Sequence, residues 1–148
     1  MSTFFRGLLV ASLALSTLLP LQEVGAASLG DRLSGRILLQ VQSHGEAWYV
    51  DPVSKTRFYL GTAADAYQLL RFKGLGIRHA ELERYRASRF PARLAGRILL
   101  DVEDHGRAWY ILPQTLRAVR LGSAEETYQV LRQQGLGISN ADLGTIAL

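Results

Sequence analysis

Gly35 to Leu82 opens GRILLQV (residues 35–41), continues HGEAWYVDP (44–52) and RFYLG (57–61), and closes on GLGIRHAEL (74–82). Gly96 to Leu143 repeats it as GRILLDV (96–102), HGRAWYILP (105–113), AVRLG (118–122) and GLGISNADL (135–143). The second copy stands 61 residues after the first without a gap, and about half of the aligned positions are identical, so one unit has been duplicated.

Within each copy, alternation predicts the first element. Ile37, Leu39 and Val41 point one way and Arg36, Leu38, Gln40 and Gln42 the other, as Ile98, Leu100 and Val102 do against Arg97, Leu99, Asp101 and Glu103. Ser43-His44-Gly45-Glu46 and Asp104-His105-Gly106-Arg107 then read as tight turns, with glycine supplying positive φ. Second strands follow at Ala47–Val50 and Ala108–Ile111, ended by Pro52 and Pro113. A third short strand carries Phe58 and Leu60 inward in one copy and Val119 and Leu121 in the other.

Thr62 with Asp65, and Ser123 with Glu126, mark helix starts. Gly74 and Gly135 read as C-terminal glycines, with short helical tails anchored by Ile77 and Ile138. The predicted fold is α+β: two tandem βββα repeats, each a three-stranded meander with a helix and a short helical tail. A unit of about 50 residues is marginal alone. The two are therefore expected to pair about a pseudo-twofold axis, through a face bearing Leu38, Tyr49 and Tyr59 in one copy and Leu99 and Tyr110 in the other.

The start of the chain predicts an address. Met1–Arg6 carries one positive charge, Gly7–Leu21 is almost wholly apolar, and Val24-Gly25-Ala26 offers small residues for a signal peptidase. Residues 1–27 therefore read as a cleaved signal peptide, 28–83 as the first repeat, 84–94 as a basic linker and 95–148 as the second repeat. An apolar run of roughly 15 residues is short of the ~20 that a membrane span needs, so no stable span is expected after cleavage. The location is secreted or at the cell envelope. With no cysteine, disulfides and thiolate metal sites are excluded. Loss of the leader takes away Arg6 and Glu23, so the mature chain keeps a formal +4.

Three sets of residues could bind something. The Trp48-Tyr49 and Trp109-Tyr110 pairs put one ring of each on each sheet face, so Tyr49, Tyr59 and Tyr110 are candidate platforms for stacking on sugars. Gly-x-x-Trp-Tyr followed by Tyr-Leu resembles choline- or glucan-binding repeats of cell-surface proteins. The alternative is that Trp fills the core and Tyr seals the seam between copies. The second set is Gly74, Gly76, Gly135 and Gly137 with Arg78. Its Gly-Leu-Gly spacing resembles the helix-hairpin-helix motif, which implies amides that hold a DNA phosphate. Lys73 and Gln134 stand where that motif has proline. Arg84, Arg86, Arg89 and Arg93 form the third set, a solvated joint or a contact for anionic polymer such as phosphate-rich glycan, lipid headgroups or nucleic acid.

His44 and His105 occupy equivalent turns. Asp101, Glu103 and Asp104 stand near His105, but Gln40, Gln42 and Ser43 replace them in the first copy, so no metal or cofactor is expected. No nucleophile motif, phosphate loop or acid pair recurs, and no enzyme is expected.

The whole repeat resembles the GRILLQVE…GEAWYVNP…YYLG…GLGI modules of bacterial secreted and surface proteins. That resemblance implies an extracytoplasmic, non-catalytic role and names no site residue. The expected function is an exported binding or structural module of the envelope, with a glycan or surface protein as partner; the alternative is extracytoplasmic nucleic-acid binding. The second copy has Leu112, Ala118 and Arg120 where the first has Asp51, Arg57 and Tyr59, so a site on the turn acid or third-strand aromatic would belong to copy one.

Overall fold

Alternating apolar residues and glycine turns give two meanders, and the segment after each helix joins them in an unexpected way. The computed structural model describes residues 25–148, so the predicted signal peptide lies outside the described residues except for its last three. A short helix α1 (Leu29–Arg32) precedes strands β1 (Ile37–Gln40), β2 (Ala47–Val50) and β3 (Arg57–Tyr59), helix α2 (Ala63–Phe72), strand β4 (Leu75–Ile77) and helix α3 (His79–Ala87). After a 3-10 turn at Ala92–Leu94 the same order recurs as β5 (Ile98–Asp101), β6 (Arg107–Ile111), β7 (Ala118–Leu121), α4 (Ala124–Gln134), β8 (Leu136–Ile138) and α5 (Asn140–Gly144). The class is α+β, as the periodicity predicts.

The predicted helix starts are present as full capping boxes, Thr62 with Asp65 and Ser123 with Glu126. Each satisfies two otherwise unpaired amides of the first turn.

The Gly-Leu-Gly segments are strands, and each crosses into the sheet of the other half. One sheet runs β3-β2-β1-β8 and the other β4-β5-β6-β7. β8 lies parallel to β1, with Leu38 opposite Leu136, and β4 lies parallel to β5, with Leu99 opposite Leu75. Gly74 and Gly135 are thus not helix-capping glycines of left-handed backbone; neither has a positive φ. They are small because the crossing is tight. A Cβ on Gly74 would lie 2.6 Å from Leu100 Cγ, and one on Gly135 2.5 Å from Leu39 Cγ.

The exchange also corrects the predicted contact face. Tyr49 pairs with Ile37 in the ladder, while Leu38 pairs with Trp48, and Trp48 with Tyr59. Pairs directly opposite share a face. Tyr49 therefore looks inward with Ile37, and Leu38, Trp48 and Tyr59 look outward. The inward face meets its counterpart (Ile98, Ala108, Tyr110, Leu121) and α2 and α4 in one shared core. The outward face is covered by the other half's tail: Leu38 and Val50 lie under Ile138, Leu143 and Ile146, and Leu99 and Ile111 under Ile77, Leu82, Phe90 and Leu94. The central strands of both sheets thus carry buried residues on both faces, while the edge strands β3 and β7 keep outward residues such as Tyr59 and Arg120 exposed.

At the centre, Gly35 and Gly96 meet back to back, with φ of +75° and +71°. Tyr49 Oη donates to Gly96 O and Tyr110 Oη to Gly35 O, each at 2.7 Å. Farther out, Arg71 donates to Gly106 O and Arg132 to Gly45 O. Every one of these contacts has its reciprocal, as an approximate twofold axis requires.

Tyr49→Phe and Tyr110→Phe are each expected to cost about 1–2 kcal/mol, because a buried carbonyl loses its donor. The shift is read as a lower urea midpoint at unchanged slope. Burial pushes the pKa of both phenols well above the ordinary tyrosine range. For a raised phenol the stabilisation is complete below the unfolded value near ~10 and fades as pH climbs past it. The natural protein should therefore unfold at alkaline pH, and the double Phe variant should lose part of that alkaline sensitivity.

Candidate functional site

Burial decides among the predicted sites first. Tyr49 and Tyr110 are 1% and 2% exposed and hydrogen-bonded across the seam, so neither offers a ring face to a sugar. They are corrected from stacking platforms to seam residues. Tyr59 is 54% exposed. Its ring leans on Trp48 with centroids 5.1 Å apart, and the Arg57 guanidinium lies over the Trp48 ring at 5.0 Å. The turn acid Asp51 is spent on its own loop: it accepts from Val53 N at 3.1 Å and pairs with Lys73 at 3.3 Å. Trp48 and Trp109 are half-buried on the outward faces and do not fill the central core.

The helix-hairpin-helix geometry is absent from the glycine segments. Gly76 and Gly137 sit inside edge strands, where a Cβ would approach Val102 Cγ1 at 3.1 Å and Val41 Cγ1 at 3.0 Å. The amide at the start of α3 already has an anion, since His79 N donates to Glu103 Oε2 at 2.8 Å. A carboxylate there suits the positive end of the helix dipole. In the other half the neutral Gln42 Oε1 accepts from Asn140 N at 2.9 Å.

The arginines are placed differently from the linker reading. α3 runs to Ala87, so Arg84 and Arg86 lie on a helix and Arg78 stands at its N-cap, while Arg89 follows in the joint. All four are exposed. Glu81 lies within 4.0 Å of Arg84 and of Arg93, and Arg86 pairs with Glu83 and lies 4.5 Å over the Trp109 ring. Among the described residues no carboxylate lies within ion-pair distance of Arg78 or Arg89. Two hollows flank the helix. The larger, about 500 Å³, is lined by Arg78, Ala80, Glu81, Arg84 and Glu103. The smaller, about 220 Å³, is lined by Tyr85, Arg86, Phe90, Leu116 and Arg117 among others.

His79 is the residue that the sequence reading missed. Its Nδ1 lies 2.6 Å from Asp101 Oδ2, and Asp101 is 1% exposed. Asp104 lies close by, its carboxylate held by Arg107 at 2.8 Å. The side chains of His79, Asp101 and Asp104 bring their donor atoms within 4.8 Å of one another. A cation there would have to displace both the His79–Asp101 bond and Arg107. The arrangement is that of a hydrogen-bonded clip between helix and sheet. Asp101 is the leading cause that raises the His79 pKa above its ordinary value, Glu83 and Asp104 adding to it. His44 and His105, by contrast, extend into solvent from their turns.

No protein-family model, curated protein or solved structure matches the chain.

Proposed function

We propose that this chain is an exported, non-catalytic binding module of the cell envelope, and that it holds an anionic polymer through the cationic face of α3 and the joint that follows. The single observation that carries this is the comparison of the two tails within one molecule. Ile77 and Leu82 have identical counterparts in Ile138 and Leu143, and both pairs are buried in the same way. Arg78, Arg84 and Arg86, however, correspond to Ser139, Thr145 and Ala147. Residues kept in both copies build the scaffold, and the exposed arginines belong to one copy alone. Arg86 also packs over Trp109, but Arg78 and Arg84 are exposed outside the buried clusters.

The address rests on the leader and on the resemblance to modules of secreted proteins. No helix among the described residues is long and apolar enough to cross a membrane. Exposed guanidinium groups spaced along one helix suit phosphate or carboxylate groups spaced along a polymer. Such a surface draws its affinity from counterion release and weakens with salt.

The test is retention on purified cell-wall material and on duplex DNA across a salt series. Arg78→Glu with Arg84→Glu is expected to weaken retention on wall material about tenfold or more and to flatten its salt dependence. Both residues are exposed, so thermal stability should stay within about 0.5 kcal/mol of the natural chain. Undiminished retention by the variant would sink the assignment. Preference for DNA over wall material at equal salt would move it to nucleic acid.

A further inference from the structure

The two halves build the same clip from different chemistry. In one, Gln40 Nε2 donates to Asn140 Oδ1 at 2.8 Å and Gln42 receives the Asn140 amide. In the other, the same positions are Asp101, His79 and Glu103. Three amides at one junction have been replaced together by three ionisable groups.

The replacement leaves a polar group unpaired. Trp48 Nε1 donates to Gln40 Oε1 at 3.1 Å. The equivalent Trp109 Nε1 is buried without a partner, because the shorter Asp101 side chain turns to His79 instead. A buried donor left alone is unfavourable. An ion pair adopted where a neutral bond would satisfy one group more is not explained by stability.

We propose that the His79–Asp101 clip makes the arginine face responsive to pH, holding anionic polymer more tightly in mildly acidic surroundings than in alkaline ones. This rests on the reading of α3 as the contact surface. The groups facing His79 are Asp101 from β5, Glu103 and Asp104 from the bend after it, Arg107 of β6 through Asp104, and Arg78 and Glu83 of its own helix segment. The carboxylates outnumber the cations, which favours the imidazolium.

The sign follows. A histidine whose folded pKa is raised contributes stabilisation that is complete below its unfolded value and is lost as pH rises through the folded one. Protonation therefore fastens the start of α3 to the sheet and adds one positive charge beside Arg78. Deprotonation leaves a weaker bond and one charge fewer.

The experiment compares the natural chain with His79→Asn/Asp101→Gln, which installs the Gln–Asn bond of the opposite half, keeps Glu103 as acceptor of the residue 79 amide and gives Trp109 an acceptor. Two readouts are taken between pH 5.5 and 8: retention on immobilised polyphosphate, and hydrogen-exchange protection of the α3 amides corrected for intrinsic rates. The natural chain is expected to be retained about threefold to tenfold more tightly at the acidic end, with α3 better protected there. The variant should fold, bind and show neither dependence. A flat protection profile in the natural chain, or the same pH dependence in the variant, overturns the clip. Absence of retention at every pH overturns the reading of the face instead, and the protection profile still reports on the clip.

Discussion

Gly96→Ala is expected to destabilise the protein by about 3–5 kcal/mol, and Gly35→Ala by a similar amount. Two costs combine at each position. Left-handed backbone carries a penalty of roughly 1–2 kcal/mol for a residue with a side chain. Overpacking adds about 1–3 kcal/mol where neighbours can yield, and here they cannot. The new Cβ on residue 96 would stand 2.2 Å from Gly35 Cα, and that on residue 35 would stand 2.5 Å from Gly96 Cα. The obstacle is main chain on the twofold axis, so relief means separating the halves. Separation would also pull the Tyr49 and Tyr110 hydroxyls from their carbonyls. Against a typical total of about 5–15 kcal/mol, the loss should lower the melting temperature by about 10–25 °C. Gly144→Ala is the control, since a Cβ there meets nothing within 4 Å. A Gly96→Ala protein melting with the Gly144→Ala control would refute the axial packing.

Local signals in the sequence were sufficient for local structure. The prolines after β2 and β6 and the Thr62 and Ser123 caps each depend on neighbours in the chain, and each is found where they direct; alternation locates the strand at Ile37 but not its extent, since β1 ends at Gln40, Leu38 is buried as fully as Ile37 and Val41 is exposed. What they do not encode is the partner of a strand. Leu75-Gly76-Ile77 is three residues long between Gly74 and the start of α3, too short for period two to show, and its hydrogen-bonding partner is Leu99-Leu100-Asp101 in the other half. A repeat read as a closed unit hides that exchange. Parity along a strand was legible, yet it places Tyr49 with Ile37 only once the ladder register is known. The same gap concealed His79, which meets Asp101 from 22 residues away through the crossing. The signal was nevertheless in the alignment of the copies. Asn140, Gln40 and Gln42 become His79, Asp101 and Glu103 together, and positions that change together between duplicated copies are candidates for contact.

The exchange makes a second large effect testable. Deleting residues 136–148 removes β8 and α5 and should unfold the sheet of the opposite half while sparing no other route to stability. Ile138, Leu143 and Ile146 are buried on Leu38 and Val50 of the first meander. At about 1.5–3 kcal/mol for each buried apolar side chain, their loss amounts to roughly 5–9 kcal/mol, comparable with the entire stability of a small domain. The parallel ladder of β8 with β1 and the Gln40–Asn140 bond go with them. Cutting the chain once between Ser88 and Arg89 is the opposite manipulation. Both residues are exposed and the cut removes no contact. Each fragment then keeps its strand in the other's sheet, so the nicked protein should elute as one species in native size exclusion at micromolar concentration and separate only in denaturant. Closed βββα repeats joined by a linker would behave the other way round: the truncated chain would retain a folded first half, and the nicked chain would fall apart on dilution. Far-ultraviolet circular dichroism of the deletion and elution of the nicked chain decide between the two, because only exchanged strands make the last thirteen residues indispensable and the covalent joint dispensable.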